Sequence, residues 1–254
     1  PWSDGNARPR VDRTRLRIVG SEPFDAWVYR PVGRPVRGAL LVVPGLHFLG
    51  PADPRLDRFI SIVADAGILA LCPFLPEFRR LTVGPTLVGD TLAAFDALRE
   101  LPDVPHDHPG VFSISFGSYS AIHVGAERDP SALVLFGGYA IFEDAIRFSL
   151  EGNPGRPHDP LNRAVIFLNM IEHLPELPED REPLRRALVE FTRRTWGSVA
   201  MKEGGWRAVA RDIERRLPVV YRPMFVIGAG DAPEGLGIIL GAMERGRETL
   251  AHLD

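Results

Sequence analysis

Cysteine and lysine are nearly missing from this chain of 254 residues: Cys72 is the only thiol and Lys202 the only lysine. A lone cysteine cannot close an internal disulfide, so no disulfide framework exists and no oxidising compartment is demanded. Cys72 ends the apolar run Ile68-Leu69-Ala70-Leu71-Cys72 and reads as a buried, inert thiol. Positive charge therefore rests on arginine, a usage that fits a GC-rich bacterial coding genome better than any function. An excess of basic charge is also lacking: net charge is −3 and the pI about 6.2, so no electrostatic footprint for nucleic acid is expected. No apolar stretch approaches the ~20 residues of a membrane span, and no signal-peptide pattern opens the chain. A cytoplasmic protein is the expectation. The chain begins at Pro1 and not at methionine, so residues upstream are expected to exist.

What is present is ordinary for a soluble globular protein, with 45% hydrophobic and 25% charged residues, which excludes a disordered chain. The length suits one large α/β core. After a polar lead-in over residues 1–13, two short strands are expected at 15–19 and 24–29, joined by Gly20-Ser21-Glu22-Pro23. The continuous apolar run from Gly38 ends in Pro44-Gly45, as expected of a strand buried on both faces of a parallel sheet. Leu56, Phe59, Ile60 and Val63 recur at helical spacing, with Asp53 as N-cap, Pro54 in the first turn and Gly67 as stop. A strand at 68–75, a helix at 86–101, a strand at 110–114, a helix at 116–127 and a strand at 132–136 continue the pattern. This alternation predicts an α/β fold, a mostly parallel sheet with helices on both faces.

Beyond Gly137-Gly138 the pattern changes. Helices are expected near 160–174, 181–196 and 206–216, divided by proline-rich breaks, and together they predict an all-helical cap. Val165, Leu168 and Ile171, with Phe167 and Met170, read as helix core. The domain reading is a core over 1–138, a cap over 139–217, and a segment 218–254 that either returns to the core or continues the cap. Within that segment, the run beginning at Pro223 and ending at Gly228 is a strand candidate, followed by a helix from Leu236.

One motif carries chemistry. Ser113-Ile114-Ser115-Phe116-Gly117 falls between a strand and a helix and has the small-x-Ser-x-small form of a nucleophile elbow, with Ser113 where glycine is more usual. A sharp turn there strains the serine backbone, and only small side chains two residues either side avoid collision. The following helix N-terminus would face a developing oxyanion. Upstream, Val43-Pro44-Gly45-Leu46-His47 ends the earlier core strand, where the Leu46 and Phe116 amides could form an oxyanion hole. The bland alternative is that Ser115 merely caps the helix.

Residues 15 to about 138 resemble the α/β-hydrolase family, through the two lead-in strands, the strand ending Pro44-Gly45-Leu46 and the elbow around Ser115. The helical stretch after Gly138 is similar to the cap of many members. The resemblance implies hydrolysis of an ester, or less often an amide or thioester, through an acyl-serine and without a cofactor. It also implies an acid and a histidine from later loops. Asp231, in Gly228-Ala229-Gly230-Asp231, is the candidate acid and His252 the candidate base. His252 lies on a helix and not in the loop that the family would use, so a second reading stays open, with the true acid and histidine beyond Asp254.

Other residues carry weaker signals. His47 follows the oxyanion loop and either lines the substrate pocket or makes a loop hydrogen bond. His106-Asp107-His108 has the spacing of a metal pair but sits in a polar, proline-flanked loop, so no metal site is expected. His123 reads as structural, and His158 and His173 carry no specific signal. Gly228-Ala229-Gly230 lacks the third glycine of a dinucleotide loop. Arg185-Arg186 and Arg193-Arg194 read as solvated helix faces, with an anionic substrate as the minor alternative. The expected function is a serine hydrolase acting on a small apolar ester. The alternative is a non-catalytic binding module of the same fold, or a fragment lacking acid and histidine.

Overall fold

The computed structural model describes residues 9–105, 109–152, 155, 159–175, 177–230, 232 and 234–250. The chain divides into two compact units, Pro1–Tyr139 and Ala140–Asp254.

The first unit runs β1 (Val11–Val19), β2 (Pro23–Pro31), β3 (Gly38–Val43), α1 (Pro54–Asp65), β4 (Ile68–Pro73), a single turn α2 (Pro76–Arg79), α3 (Leu87–Arg99), β5 (Gly110–Ile114), α4 (Gly117–Arg128) and β6 (Leu133–Phe136). The strands form one sheet in the order β1-β2-β4-β3-β5-β6. β1 pairs antiparallel with β2, and β2 with β4, whereas β4, β3, β5 and β6 are mutually parallel. The expected α/β architecture, a mostly parallel sheet with helices on both faces, is what this unit has.

The continuous apolar run of β3 is explained by burial on both faces. Leu41 and Val43 point into one core with Leu71, Val111, Phe95 and Leu98, where α3 and α4 lie. Val42 points into the other with Tyr29, Ile60, Ala64 and Cys72, where α1 lies. Burial raises the Cys72 thiol well above its ordinary pKa, so it is the inert group expected. Each large side chain fully buried here contributes roughly 1.5–3 kcal/mol of transfer free energy.

α1 begins where its sequence signals place it. The Asp53 side chain accepts the Arg55 amide at 2.8 Å, and Pro54 occupies the first turn, where its missing N–H costs nothing. Gly67 stops the helix with φ 96°, and a Cβ there would stand 3.0 Å from Arg37 Nε.

The second unit is helical throughout its described residues: α5 (Phe142–Glu151), α6 (Asn162–Asn169), α7 (Glu182–Thr195), α8 (Trp206–Arg216), α9 (Arg222–Ala229), α10 (Gly235–Arg245) and the short α11 (Arg247–Leu250), with single turns between them. Phe191 anchors its core, with its ring edge-on to Trp206 at 6.4 Å and to Phe225 at 6.3 Å. Val165, Phe167, Leu168, Met170 and Ile171 are all buried, as core residues should be.

One expectation fails here, and one helix was not anticipated. The strand candidate beginning at Pro223 is instead helix α9. Its buried residues, Met224, Phe225, Gly228 and Ala229, recur at helical spacing, while Val226 is exposed, which a strand buried on both faces would not allow. Pro223 suits the first turn of a helix, and a short apolar run does not by itself distinguish the two structures. Helix α5 was not expected at all, although Phe142, Ile146 and Leu150 recur every four residues and are buried. No helix among the described residues is long and apolar enough to cross a membrane.

A buried carboxylate ties the sheet edge to α3. Asp90 is 1% exposed and accepts the Ser21 amide at 2.7 Å and the Ser21 hydroxyl at 2.9 Å, holding the β1–β2 turn. Burial pushes its pKa up against those two hydrogen bonds, and the nearby Glu77 and Glu22 carboxylates push the same way. The folded state thus binds the Asp90 proton more tightly than the unfolded chain, and stability falls as pH rises from the ordinary carboxyl range through the raised value. Asp90→Asn should remove that decline while its side-chain oxygen still accepts the Ser21 amide. Urea midpoints of wild type and variant between pH 4 and pH 7 check this, and parallel slopes would refute it.

Candidate active site

β3 and β5 are parallel neighbours in a register that pairs Val43 with Ser113, so the loop leaving β3 and the turn leaving β5 emerge side by side. β5 ends at Ile114 and α4 starts at Gly117, leaving Ser115 and Phe116 to reverse the chain. Ser115 does so with φ 52°, a left-handed conformation that costs a non-glycine residue about 1–3 kcal/mol. Three hydrogen bonds hold it there. Its amide donates to Phe136 O at 2.9 Å, and its carbonyl accepts the Ser118 amide at 3.0 Å and the Ser118 hydroxyl at 2.5 Å. The Ser115 side chain is exposed, two residues ahead of the α4 N-terminus.

The turn is possible because its flanks are small. A Cβ on Gly117 would stand 2.4 Å from Pro44 O and 2.9 Å from Val43 O, so the first residue of α4 is pressed against the backbone that leaves β3. Ser113 is fully buried, which explains why only a small residue is tolerated two positions before Ser115. Gly45 closes the gap from the other side, its Cβ position lying 3.4 Å from Ser115 Cβ and 3.2 Å from Ile114 O. This brings the loop bearing Leu46 directly against Ser115. Leu46 and Phe116 both pack on the larger core, and among the described residues Leu46 N–H meets no acceptor.

His47 belongs to the same loop and is hydrogen-bonded within it. Its Nδ1 accepts the Leu49 amide at 3.2 Å, which places the proton of the neutral ring on Nε2, 3.7 Å from Asp53 Oδ2. Phe48 stacks on the imidazole at 4.7 Å. Burial lowers the His47 pKa, outweighing the attraction of Asp53, so the neutral ring is favoured. For Asp53, burial opposes ionisation, but hydrogen bonds from the Arg55 side chain (2.7 and 3.1 Å) and amide outweigh it and hold the carboxyl below its ordinary range. Asp53 thus serves both α1 and the loop. Its link to His47 was missed in the sequence, where five residues lie between the two.

The remaining candidates scatter. Asp231 and His252 lie outside the described residues, as do His106, Asp107, His108 and His158. The strand expected to carry the Asp231 loop is helix α9. His123 lies on α4, edge-on to Tyr119 at 5.2 Å. His173 belongs to the second unit, where its carbonyl accepts Arg245 Nε at 2.8 Å. Among the described residues, no histidine or carboxylate hydrogen-bonds the Ser115 hydroxyl, and no three His, Cys, Asp or Glu side chains are grouped to hold a metal ion. Tyr139 was not singled out from sequence, yet its ring lies 5.4 Å from that of Phe116.

Solved structures similar to this chain include a dienelactone hydrolase from Anabaena variabilis, 22% identical with a TM-score of 0.42, covering 51% of this chain and 64% of that one. Others are an acylaminoacyl peptidase from Pyrococcus horikoshii (15%, 0.44, 55% and 25%) and a hypothetical protein from Pseudomonas aeruginosa (16%, 0.43, 74% and 53%). The chain spans less than two thirds of the length of each. No family model and no curated protein matches it. At such identities and scores the likeness carries no argument, and what the chain itself shows is a mostly parallel sheet in the order β1-β2-β4-β3-β5-β6 with a left-handed serine at a strand-to-helix turn.

The elbow's tolerance is testable against another glycine of the same unit. Gly117→Ala drives a methyl into two backbone carbonyls and should cost about 1–3 kcal/mol or more in urea unfolding. Gly89→Ala, on α3 with nothing within 4 Å of the new methyl, should be neutral or stabilising by about 0.5–1 kcal/mol. Equal effects would refute the packing argument.

Proposed function

We propose that the first unit carries the nucleophile of a serine hydrolase, with Ser115 attacking the acyl carbon of a small, apolar carboxylic ester. The observation that carries this reading is the left-handed backbone of Ser115 at a strand-to-helix turn, with Gly45 so near that a Cβ added to it would stand 3.4 Å from Ser115 Cβ. A strained serine that is merely a helix cap has no need of a second loop held against it.

In the proposed reaction the Ser115 oxygen bonds to the acyl carbon, its proton passes to a base, and the Leu46 and Phe116 amides stabilise the oxyanion. Collapse expels the alcohol, which takes that proton, and water then repeats the sequence to release the acid. Asp231 and His252 are the residues proposed as acid and base. His47 is proposed to shape the loop and not to act as base, a reading supported by its Nδ1 accepting the Leu49 amide. The helical second unit is proposed as the cap that sets specificity. The absence of a partner for the Ser115 hydroxyl among the described residues favours the rival reading, a binding module of the same fold, and one experiment separates them.

A fluorophosphonate probe followed by intact-mass measurement should add one adduct to the folded chain and none to Ser115→Ala, with circular dichroism confirming equal folding. Ester turnover should fall by roughly 10⁴-fold or more in that variant. A folded wild type that takes no label would overturn the hydrolase reading and leave a binding module or a fragment lacking the acid and histidine.

A further inference from the structure

The second unit holds a cluster of arginines that its own acidic residues do not neutralise. Several arginines on its helices are paired: Arg185 with Glu172 at 2.7 Å, Arg186 with Glu182 at 2.8 Å, and Arg194 and Arg216 with Glu190 and Asp212. Around the end of α8 the pattern breaks. A surface cavity of about 560 Å³ is lined by Ala208, Arg211, Glu214, Arg215 and Arg222. Among the described residues, none of these three arginines has a carboxylate within 4.0 Å.

The guanidinium groups are partly fixed by backbone. Arg222 reaches back from α9, its Nε donating to Leu217 O at 2.8 Å and its Nη2 to Arg215 O at 3.3 Å, which satisfies carbonyls at the α8 C-terminus. Arg215 Nε donates to Arg211 O at 3.2 Å. Capping accounts for Arg222 alone. It does not account for Arg211 and Arg215, like charges one turn apart, a spacing that costs a helix a few tenths of a kcal/mol. Among the described residues, Arg211 donates no side-chain hydrogen bond and Arg215 only through its Nε, while Glu214 is the single acidic residue of the lining. Three cations against one anion, held in one concave site, match a dianionic group that can accept forked hydrogen bonds. The volume falls within the range of small-molecule sites and exceeds what a bare phosphate would fill.

We propose that this cavity binds the phosphate group of a small phosphorylated molecule, with Arg211 and Arg215 as the principal contacts and Arg222 as a backbone-anchored third. The site lies wholly within the second unit and does not depend on the reading of Ser115.

The test uses the full chain in 150 mM salt, with inorganic pyrophosphate as probe in calorimetric titration. Arg211→Gln/Arg215→Gln, on exposed positions, should fold normally and lose about tenfold or more in affinity. Arg185→Gln/Arg186→Gln, which removes arginines already paired, should bind as wild type does. Vesicles with and without phosphatidic acid identify the source of the phosphate. Binding to the acidic vesicles that pyrophosphate displaces supports the site and assigns it to a lipid headgroup, whereas pyrophosphate binding without vesicle binding supports it and assigns a free ligand. No pyrophosphate binding at millimolar concentration, equal binding by the 211/215 variant, or equal loss in the 185/186 variant would overturn the proposal.

Discussion

The first residue of α4 is wedged beneath the carbonyls of Val43 and Pro44, and the geometry of the candidate site follows from that contact. Hydrogen bonding places β3 beside β5 and sets Val43 opposite Ser113, so the two chains leave the sheet within touching distance. Only a residue without a side chain lets α4 begin there, because the obstruction is backbone and cannot rotate away. Starting the helix at Gly117 leaves two residues to turn the chain, and Ser115 takes the left-handed conformation. Its amide stays in the sheet through Phe136 O, and its carbonyl is held by Ser118, so the strain is opposed at both ends of the residue.

The loop above the turn is stiffened from a different direction. Asp53 caps α1, receives the Arg55 guanidinium and faces His47, so a single ionised carboxylate sets where α1 starts and how the loop ring is oriented. The imidazole is engaged within the loop, its Nδ1 accepting the Leu49 amide. Stiffness of this kind is what an electrostatic site needs, since donors that must reorganise lose much of their advantage.

The second unit is organised by charge as well as by apolar packing. Where α7 and α8 run near each other, Glu190 and Asp212 share Arg194 and Arg216 across the two helices. On the adjoining face of α8, Arg211 and Arg215 have no such partners among the described residues. Exposed pairs contribute little stability individually, so the contrast bears on recognition more than on folding.

Sequence alone was sufficient for the elements whose signals are local. The double-sided burial of β3 shows in its unbroken apolar run, the start of α1 in Asp53-Pro54, its end in Gly67, and the elbow in small residues flanking Ser115. Each reports a constraint acting within a few residues, and the alternation of strand and helix then dictates a mostly parallel sheet. Residues 223–228 were misread because a short apolar run suits a helix packed on one side as well as a strand. Only its packing against Phe167 and Phe191 decides between them. The engagement of His47 by Leu49 and Asp53, the approach of Gly45 to Ser115, and the gathering of Arg211, Arg215 and Arg222 around one cavity were likewise decided by tertiary structure. They are distances between separate segments or side-chain orientations, and such quantities exist only once the chain has folded.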